Sequence, residues 1–455
     1  MESSIATPEE PEEIIRFRLW FRSNGGIIHD DLYFFTGPFG LSICTRRGLP
    51  SGVIAATCPF SLAITLETIQ EALDHFCRLP SQDCSLTPRQ LICAYIGLHY
   101  TIGKKDDDEN CLLRHRPYID ILPKAETLLT PLYFSEDELD LFRGTNVYGA
   151  TLDQSRICME EYRQLREAIG VHSPGISEMF TFDMYKLAWT YLSSRAFPST
   201  LLSSTPSLEA SPLSYPVLIP GVDAFNHRRA HPVSWSVSRA ESPSAGISTG
   251  KPNAEAENHR SDLCVSLVLD TPTAEGEEVF NNYGPKPNSS LILAYGFALA
   301  DNPDDTIFLK VGSSDDSGRS GQGVGHEVGR NTSGAQAVWD DVRRIIHGRH
   351  VEGADQEEEH DDEQQAAYDL QIDMETAGIL TDMVSSLMDG LPDPMVGHVS
   401  SSVRKEVLTM WRYYVQGQKD ILESLLYWLQ IKAQEAVRRA EELGISIVRF
   451  DSDDE

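Results

Sequence analysis

Apolar positions change their period several times along this chain, and each change marks a different kind of element. Ile15, Phe17, Trp20 and Phe21 stand at mixed helical spacing in IIRFRLWF. Thr7-Pro8 would cap and open that helix, and Asn24-Gly25-Gly26 would end it. From Ile27 to Thr65 the texture becomes short apolar or β-branched runs broken by glycine (LYFF, LSICT, GVIAATC, LAIT), which predicts small antiparallel strands joined by tight turns. Helical periodicity then holds to about residue 200. Thr65 precedes LETIQEALDHFCRL, Thr87-Pro88 opens RQLICAYIGLHY, and Ser135 with Glu138 makes a capping box before LDLF. Amphipathic stretches follow at 155–169 and 182–197. Strand-like runs return at Tyr215, in PVLIP and SLVLD. Beyond residue 306 the pattern is helical again, ending in a run from Val407 to Leu443. There Ile421, Leu422, Leu425, Leu426, Trp428 and Leu429 give a wide apolar face suited to a bundle core.

The order β, α, β, α predicts an α+β fold in which one unit is split by a helical insertion. The expected division is a mostly β domain at 12–300, with the insertion at about 66–200, followed by an all-α domain at 301–455. Two Ser-, Gly- and Pro-rich segments read as loops: 236–260, a flexible insertion between two strands, and 312–334. The acidic region 352–365 and the terminal DSDDE read as solvated, disordered runs.

Composition narrows the function classes. The chain has 455 residues, enough for two or three domains and a core that needs no staples. A net charge of −31 argues against binding nucleic acid by phosphate neutralisation. The eight cysteines show no CxxC and no ligand-like spacing, so neither a disulfide framework nor a zinc cluster is indicated. The acidic N-terminus MESSIATPEEPEE lacks the features of a secretory signal, and no window approaches the roughly 18 apolar residues of a membrane span. The expectation is a soluble monomer of the cytoplasm or nucleus, without membrane or direct nucleic-acid contacts.

Three groups of residues are candidates for chemistry. Asp223, His227 and His231 stand four apart, but Pro220-Gly221 and Pro232 bracket them and leave little room for a helix that could hold a metal, so no metal site is expected. Gly321-Gln-Gly323-Val-Gly325 has the glycine spacing of a nucleotide loop but lacks the buried strand such a loop needs before it. The third group spans the chain: Phe39-Gly40-Leu41, Ser194-Arg195-Ala196-Phe197, Pro220-x-x-Asp223-x-x-Asn226-His227, Gly276-Glu277-Glu278-Val279, Tyr283-Gly284 and Tyr295-Gly296-Phe297.

Taken together and in order, these pieces resemble SET-domain protein methyltransferases, and most closely the branch typified by the plant RuBisCO large-subunit methyltransferase. Leu141-x-x-Gly144-Thr145 and Tyr414-x-x-Gly417-Gln418 agree with that resemblance, which covers about residues 12 to 440. It implies a SET fold with a helical insertion, a helical substrate-binding domain, and the cofactor S-adenosylmethionine. Gly40, Leu41, Arg195, Asn226, His227 and Phe297 match cofactor-binding positions. Tyr283 matches the tyrosine of the methyl-transfer centre; Asp223, Tyr295 and Ser194 match substrate-binding positions. The implied activity is methylation of a lysine on a protein partner, expected in a basic segment. A histidine acceptor and a non-catalytic SET-fold adaptor are the alternatives. Gly37-Pro-Phe-Gly40 departs from the family's Gly-x-Gly. The chemistry suits the residue types, because in-line transfer to an amine needs alignment and partial negative charge more than a nucleophile.

Overall fold

Alternation of buried and half-buried positions along Leu32–Gly37, with Leu32 and Phe34 inside, is the period-two pattern of a strand with one face on a core. The computed structural model describes residues 10–37, 40–79, 85–102, 112–203, 205–209, 211–239, 263–312, 324–352, 362–393 and 400–445. The chain divides into two units: 1–128 with 153–285, and 129–152 with 286–455.

In the first unit, Ile27–Ile28, Ile54–Pro59, Leu263–Leu269 and Val233–Arg239 form an antiparallel sheet in that order. Leu32–Gly37 pairs with Gly40–Thr45, and Phe197–Pro198 with Pro216–Val217. Val233–Arg239 runs four residues into the segment 236–260 expected to be loop, extended by its pairing with Leu263–Leu269, and residues 240–262 lie outside the described residues.

Two helices of this unit, Leu66–Phe76 and Pro88–Thr101, begin where the sequence places their caps. Thr65 and Thr87 each accept from the third residue of the following helix, whose own side chain reaches back to the cap, closing both boxes. The first helix, Glu12–Ser23, starts instead after Pro11 without a side-chain cap, and Thr7-Pro8 lies outside the described residues. Its buried Phe17 and Phe21 stack at 5.4 Å, and Phe17 also meets Phe34 and Tyr118. Gly221 comes close to the same cluster. A side chain there would put its Cβ 3.0 Å from the Phe21 ring, and its φ of +78° already favours glycine.

The second unit has the expected helices but is not all-α as expected for 301–455: two strands, Thr306–Val311 and Val324–Gly329, lie within it. Ser135 and Glu138 form their capping box, and Glu138 is also gripped by the Arg404 guanidinium, with Nε and Nη2 each 2.8 Å from a carboxylate oxygen. Ile421, Leu422, Leu425 and Leu429 of the helix Lys405–Glu442 pack against Trp339, Ile372, Val384 and others. Its first half, through Val407, Met410, Trp411 and Tyr414, builds a separate core with Phe142, Val147 and Ile292.

Within 312–334, expected to be a loop, Val324–Gly329 is a strand paired antiparallel with Thr306–Val311. Gly325 is there for space: a Cβ would fall 2.1 Å from the Phe308 ring. A glycine that serves cross-strand packing is indistinguishable by composition from one that serves flexibility. Residues 313–323, which hold Gly321 and Gly323, and 353–361, the core of the acidic run, lie outside the described residues, as do 446–455.

Candidate functional site

The helix Phe182–Arg195, capped by Thr181, ends on one of the predicted residues. Arg195 Nη1 donates to the Asp223 backbone carbonyl at 3.1 Å and lies 3.7 Å from Asp223 Oδ2. The same Oδ2 accepts from the Tyr118 hydroxyl at 2.5 Å. Asp223 is buried, its side chain 1% exposed. Burial pushes its carboxyl above the usual range, against the opposing pull of Arg195 and Tyr118. For Tyr118, burial and then the neighbouring carboxylate raise the phenol, so it stays a donor. The Asp223 carboxylate, matched to a substrate-binding position, ties the helix end at Arg195 to Tyr118 and through it to the aromatic cluster of Phe17.

The turn that follows brings Asn226 and His227 beside the segment that carries Tyr283. Asn281 N donates to Asn226 O at 2.7 Å and Arg228 N to Asn281 O at 2.9 Å, pairing His227 with Asn281 in a parallel bridge. One strand further on, Val279 N donates to Ile43 O and Cys44 faces Glu278. The segment 277–281 is thus held between the strand Gly40–Thr45 on one side and Asn226–Arg228 on the other. Asn226 Nδ2 sits within hydrogen-bond distance of Glu278 Oε1 at 2.8 Å, Ser42 Oγ at 3.0 Å and Leu41 O at 3.3 Å.

His227 Nδ1 accepts from the Tyr283 backbone N–H at 3.0 Å, which places the ring proton of the neutral imidazole on Nε2. The two rings stack with centroids 4.9 Å apart at 23°. The Tyr283 hydroxyl donates to Phe225 O at 2.9 Å. Its proton is therefore committed to a carbonyl. A phenol anchored in this way can act as an acceptor of fixed direction, the role an aligning group requires.

The other predicted residues fall as follows. Gly40 pairs with Gly37 at the tip of the hairpin with φ +101°, and among the described residues nothing lies within 4 Å of where a Cβ would be. Leu41 contributes its carbonyl to Asn226. Ser194 is half-buried, and its hydroxyl bonds back to Thr190 O at 2.8 Å within its own helix. Tyr295 and Phe297 belong to the second unit, where their rings lie 6.1 Å apart and Lys286 Nζ stands 6.0 Å from the Tyr295 ring. Burial raises the Tyr295 phenol. Phe39 lies outside the described residues.

Asp223, His227 and His231 do not share a helix face. Residues 221–232 form turns, and the three side chains meet different neighbours: Arg195 and Tyr118, Tyr283, and Phe280. A cavity of about 700 Å³ lies elsewhere in the first unit, beside Phe60, Glu67, Glu71, Tyr215 and Leu213, and none of the predicted site residues lines it. Three side chains of the site escaped sequence reasoning. Tyr118 sits in the helical insertion with no motif around it, Ser42 is an ordinary strand serine, and Glu278 belongs to a quoted motif that gives no hint of its partner.

No protein-family model matches the chain. In sequence it is similar to the ribosomal lysine N-methyltransferase set10 of Schizosaccharomyces pombe, 34% identical over 255 residues, covering 56% of this chain and 39% of the relative. It is also similar to the protein-lysine N-methyltransferase EFM1 of Saccharomyces cerevisiae, 26% identical over 335 residues, covering 65% and 52% respectively. The chain thus matches about two fifths to one half of the length of these relatives. Among solved structures it resembles the SET domain of LSMT bound to lysine and AdoHcy, with a TM-score of 0.66 at 17% identity over 97% of this chain and 98% of that one. The α+β fold of this chain is therefore the SET-domain fold of LSMT, and these two sequence relatives are lysine N-methyltransferases.

Proposed function

We propose that the chain is an S-adenosylmethionine-dependent protein-lysine N-methyltransferase. The observation that carries this reading is the anchoring of Tyr283 by both ends, its N–H on His227 and its hydroxyl on Phe225 O, next to an Asn226 amide held by Glu278. Such an array serves alignment, and alignment is what methyl transfer asks of a protein. Leu41, the neighbour of Gly40, is tied to Asn226, which joins that hairpin to the Asn226–His227 segment. Arg195, Asn226 and His227, with Gly40, Leu41 and Phe297, are the residues assigned to hold the cofactor.

S-adenosylmethionine, when bound, supplies an electrophilic methyl group on a sulfonium. The protein's part is to hold the acceptor amine and to place oxygen lone pairs around the reacting carbon. Tyr283 contributes one such oxygen. An ε-amine with a reference pKa of about 10.4 reacts only when neutral, so exclusion of water around it favours the reaction. Ser194, Tyr295 and Asp223 are assigned to the acceptor side, with Asp223 also holding Arg195.

The segment 12–300 is assigned the chemistry and 301–455 the recognition of the protein substrate. The substrate reading is a basic, lysine-containing segment, in keeping with the net charge of −31. Among the described residues no helix is long and apolar enough to cross a membrane, and we place the protein in the cytoplasm or nucleus. Titration calorimetry with S-adenosylmethionine, and mass spectrometry of proteins methylated in its presence, test the proposal. Binding of one equivalent and methyl-lysine in the products are expected. Absence of binding overturns the enzyme reading in favour of an adaptor, and methyl-histidine in place of methyl-lysine overturns the acceptor.

A further inference from the structure

We propose that Glu278, assisted by Ser42, is a positioning residue that locks the orientation of the Asn226 side-chain amide and thereby makes the site select a cationic N–H donor on its ligand. This rests on the cofactor reading above. An amide has two nearly isosteric ends, one donating and one accepting, and its chemistry toward a ligand depends on which end is turned inward. Here the choice is forced. Glu278 Oε1 at 2.8 Å and Leu41 O at 3.3 Å can only accept, so Nδ2 must face them, and Ser42 Oγ at 3.0 Å completes the set. The two N–H bonds of Asn226 are then committed to the protein, and Oδ1 is the end left for a ligand.

Glu278 is itself held by the backbone. Its residue faces Cys44 across a bridge, with Thr45 N on Glu277 O and Val279 N on Ile43 O, while Asn281 N binds Asn226 O. The lock and the amide are thus fixed to each other through main-chain pairing, although 52 residues separate them in sequence. A charge-assisted bond at Nδ2 has a second effect. It polarises the amide toward greater negative charge at Oδ1, which favours a cationic donor such as an ammonium group over a neutral one.

The test compares two ligands by calorimetry on the full chain: S-adenosylhomocysteine and its analogue in which hydrogen replaces the α-ammonium. Wild type should prefer the ammonium-bearing ligand by about tenfold or more, as a charged hydrogen bond commonly gives. Glu278→Gln is isosteric but can turn either end toward Asn226, so the preference should fall to within about threefold while the thermal midpoint stays near wild type. Ser42→Ala removes only the neutral acceptor, and should lower the preference less in the same direction. A purely structural Glu278 would weaken both ligands equally. An unchanged ratio in both variants, with wild type binding, overturns this inference alone. If wild type binds neither ligand, the methyltransferase reading fails and this inference with it.

Discussion

Tyr283 is held at three points, and only one of them is polar at the ring. Its N–H donates to His227 Nδ1, its ring stacks on the imidazole, and its hydroxyl donates to Phe225 O at 2.9 Å. Tyr283→Phe keeps the first two and removes the third, so the ring should stay in place. The loss of one preorganised oxygen should then lower turnover by about 10²-fold or more, with little change in cofactor affinity, because the contact matters mainly in the transition state. Single-turnover methylation together with calorimetry separates the two effects. Turnover equal to wild type would move the methyl-transfer centre away from Tyr283, with Tyr295 the next residue to test. Asp223 teaches a different lesson at this scale. A carboxylate in a motif invites a role toward substrate, and this one is also tied to Arg195 and Tyr118, partners that the motif does not reveal.

At the scale of elements, the helix Asn288–Tyr295 is held at both ends. Its N-terminus is tied by Asp305, which accepts from Asn288 N at 2.7 Å and from Asn288 Nδ2 at 3.0 Å. Its C-terminus turns at Gly296, φ +75°, whose N–H reaches Leu291 O and Ile292 O. A Cβ at Gly296 would lie 2.6 Å from Leu129 C and 2.8 Å from Thr130 N, both backbone atoms that cannot rotate away. Gly296→Ala should therefore cost about 1–3 kcal/mol, combining the left-handed backbone penalty with the clash. Because Tyr295 and Phe297 flank this glycine, the variant should also weaken methylation more than its stability loss explains. Denaturant unfolding followed by Trp fluorescence measures the first effect. A variant as stable as wild type would mean that the 129–130 backbone yields readily.

For the molecule as a whole, acid sensitivity is written into two buried histidines of the first unit. His115, 0% exposed, donates or accepts at both ring nitrogens, to Tyr95 and Leu62 O, while neither ring nitrogen of His99, 1% exposed, has a partner among the described residues. Burial, then nearby Arg114, lowers His115 from 6.5 to about 3, and burial, with His115 and Arg116, lowers His99 well below 6.5. The folded state therefore holds both rings neutral while the unfolded chain protonates them below about pH 6.5. The unfolded state binds more protons in that window, so stability is full above it and falls as pH drops, by up to about 1.4 kcal/mol per pH unit for each histidine. His99→Leu removes a buried polar ring of similar size. It should leave stability at pH 7 equal or higher, and flatten the decline between about pH 6 and 5 by up to half. Urea unfolding at pH 7, 6 and 5 tests this; an unaltered slope would place the acid sensitivity elsewhere.

What the sequence by itself determined are the features that depend on near neighbours. Thr65, Thr87 and Ser135 cap the helices they precede because a cap and its partner lie three residues apart. The apolar face at Ile421, Leu422, Leu425 and Leu429 is buried because helical period alone gathers those residues. The order of β and α segments before residue 306 was legible for the same reason, and motifs single out Arg195, Asn226, His227 and Tyr283 as candidates. Only the tertiary structure decided what those groups touch. Glu278 meets Asn226 across 52 residues and Tyr118 meets Asp223 across 105, pairings that no local pattern encodes. The strand Val324–Gly329 was hidden because its glycine answers to the Phe308 ring on the partner strand, a requirement visible only once the strands are paired. Residues 129–152 group with 286–455 because Phe142 and Val147 share a core with Ile292, Val407 and Trp411. Burial and hydrogen-bond satisfaction are properties of the packed chain, and they assign each polar group its partner and hence its role.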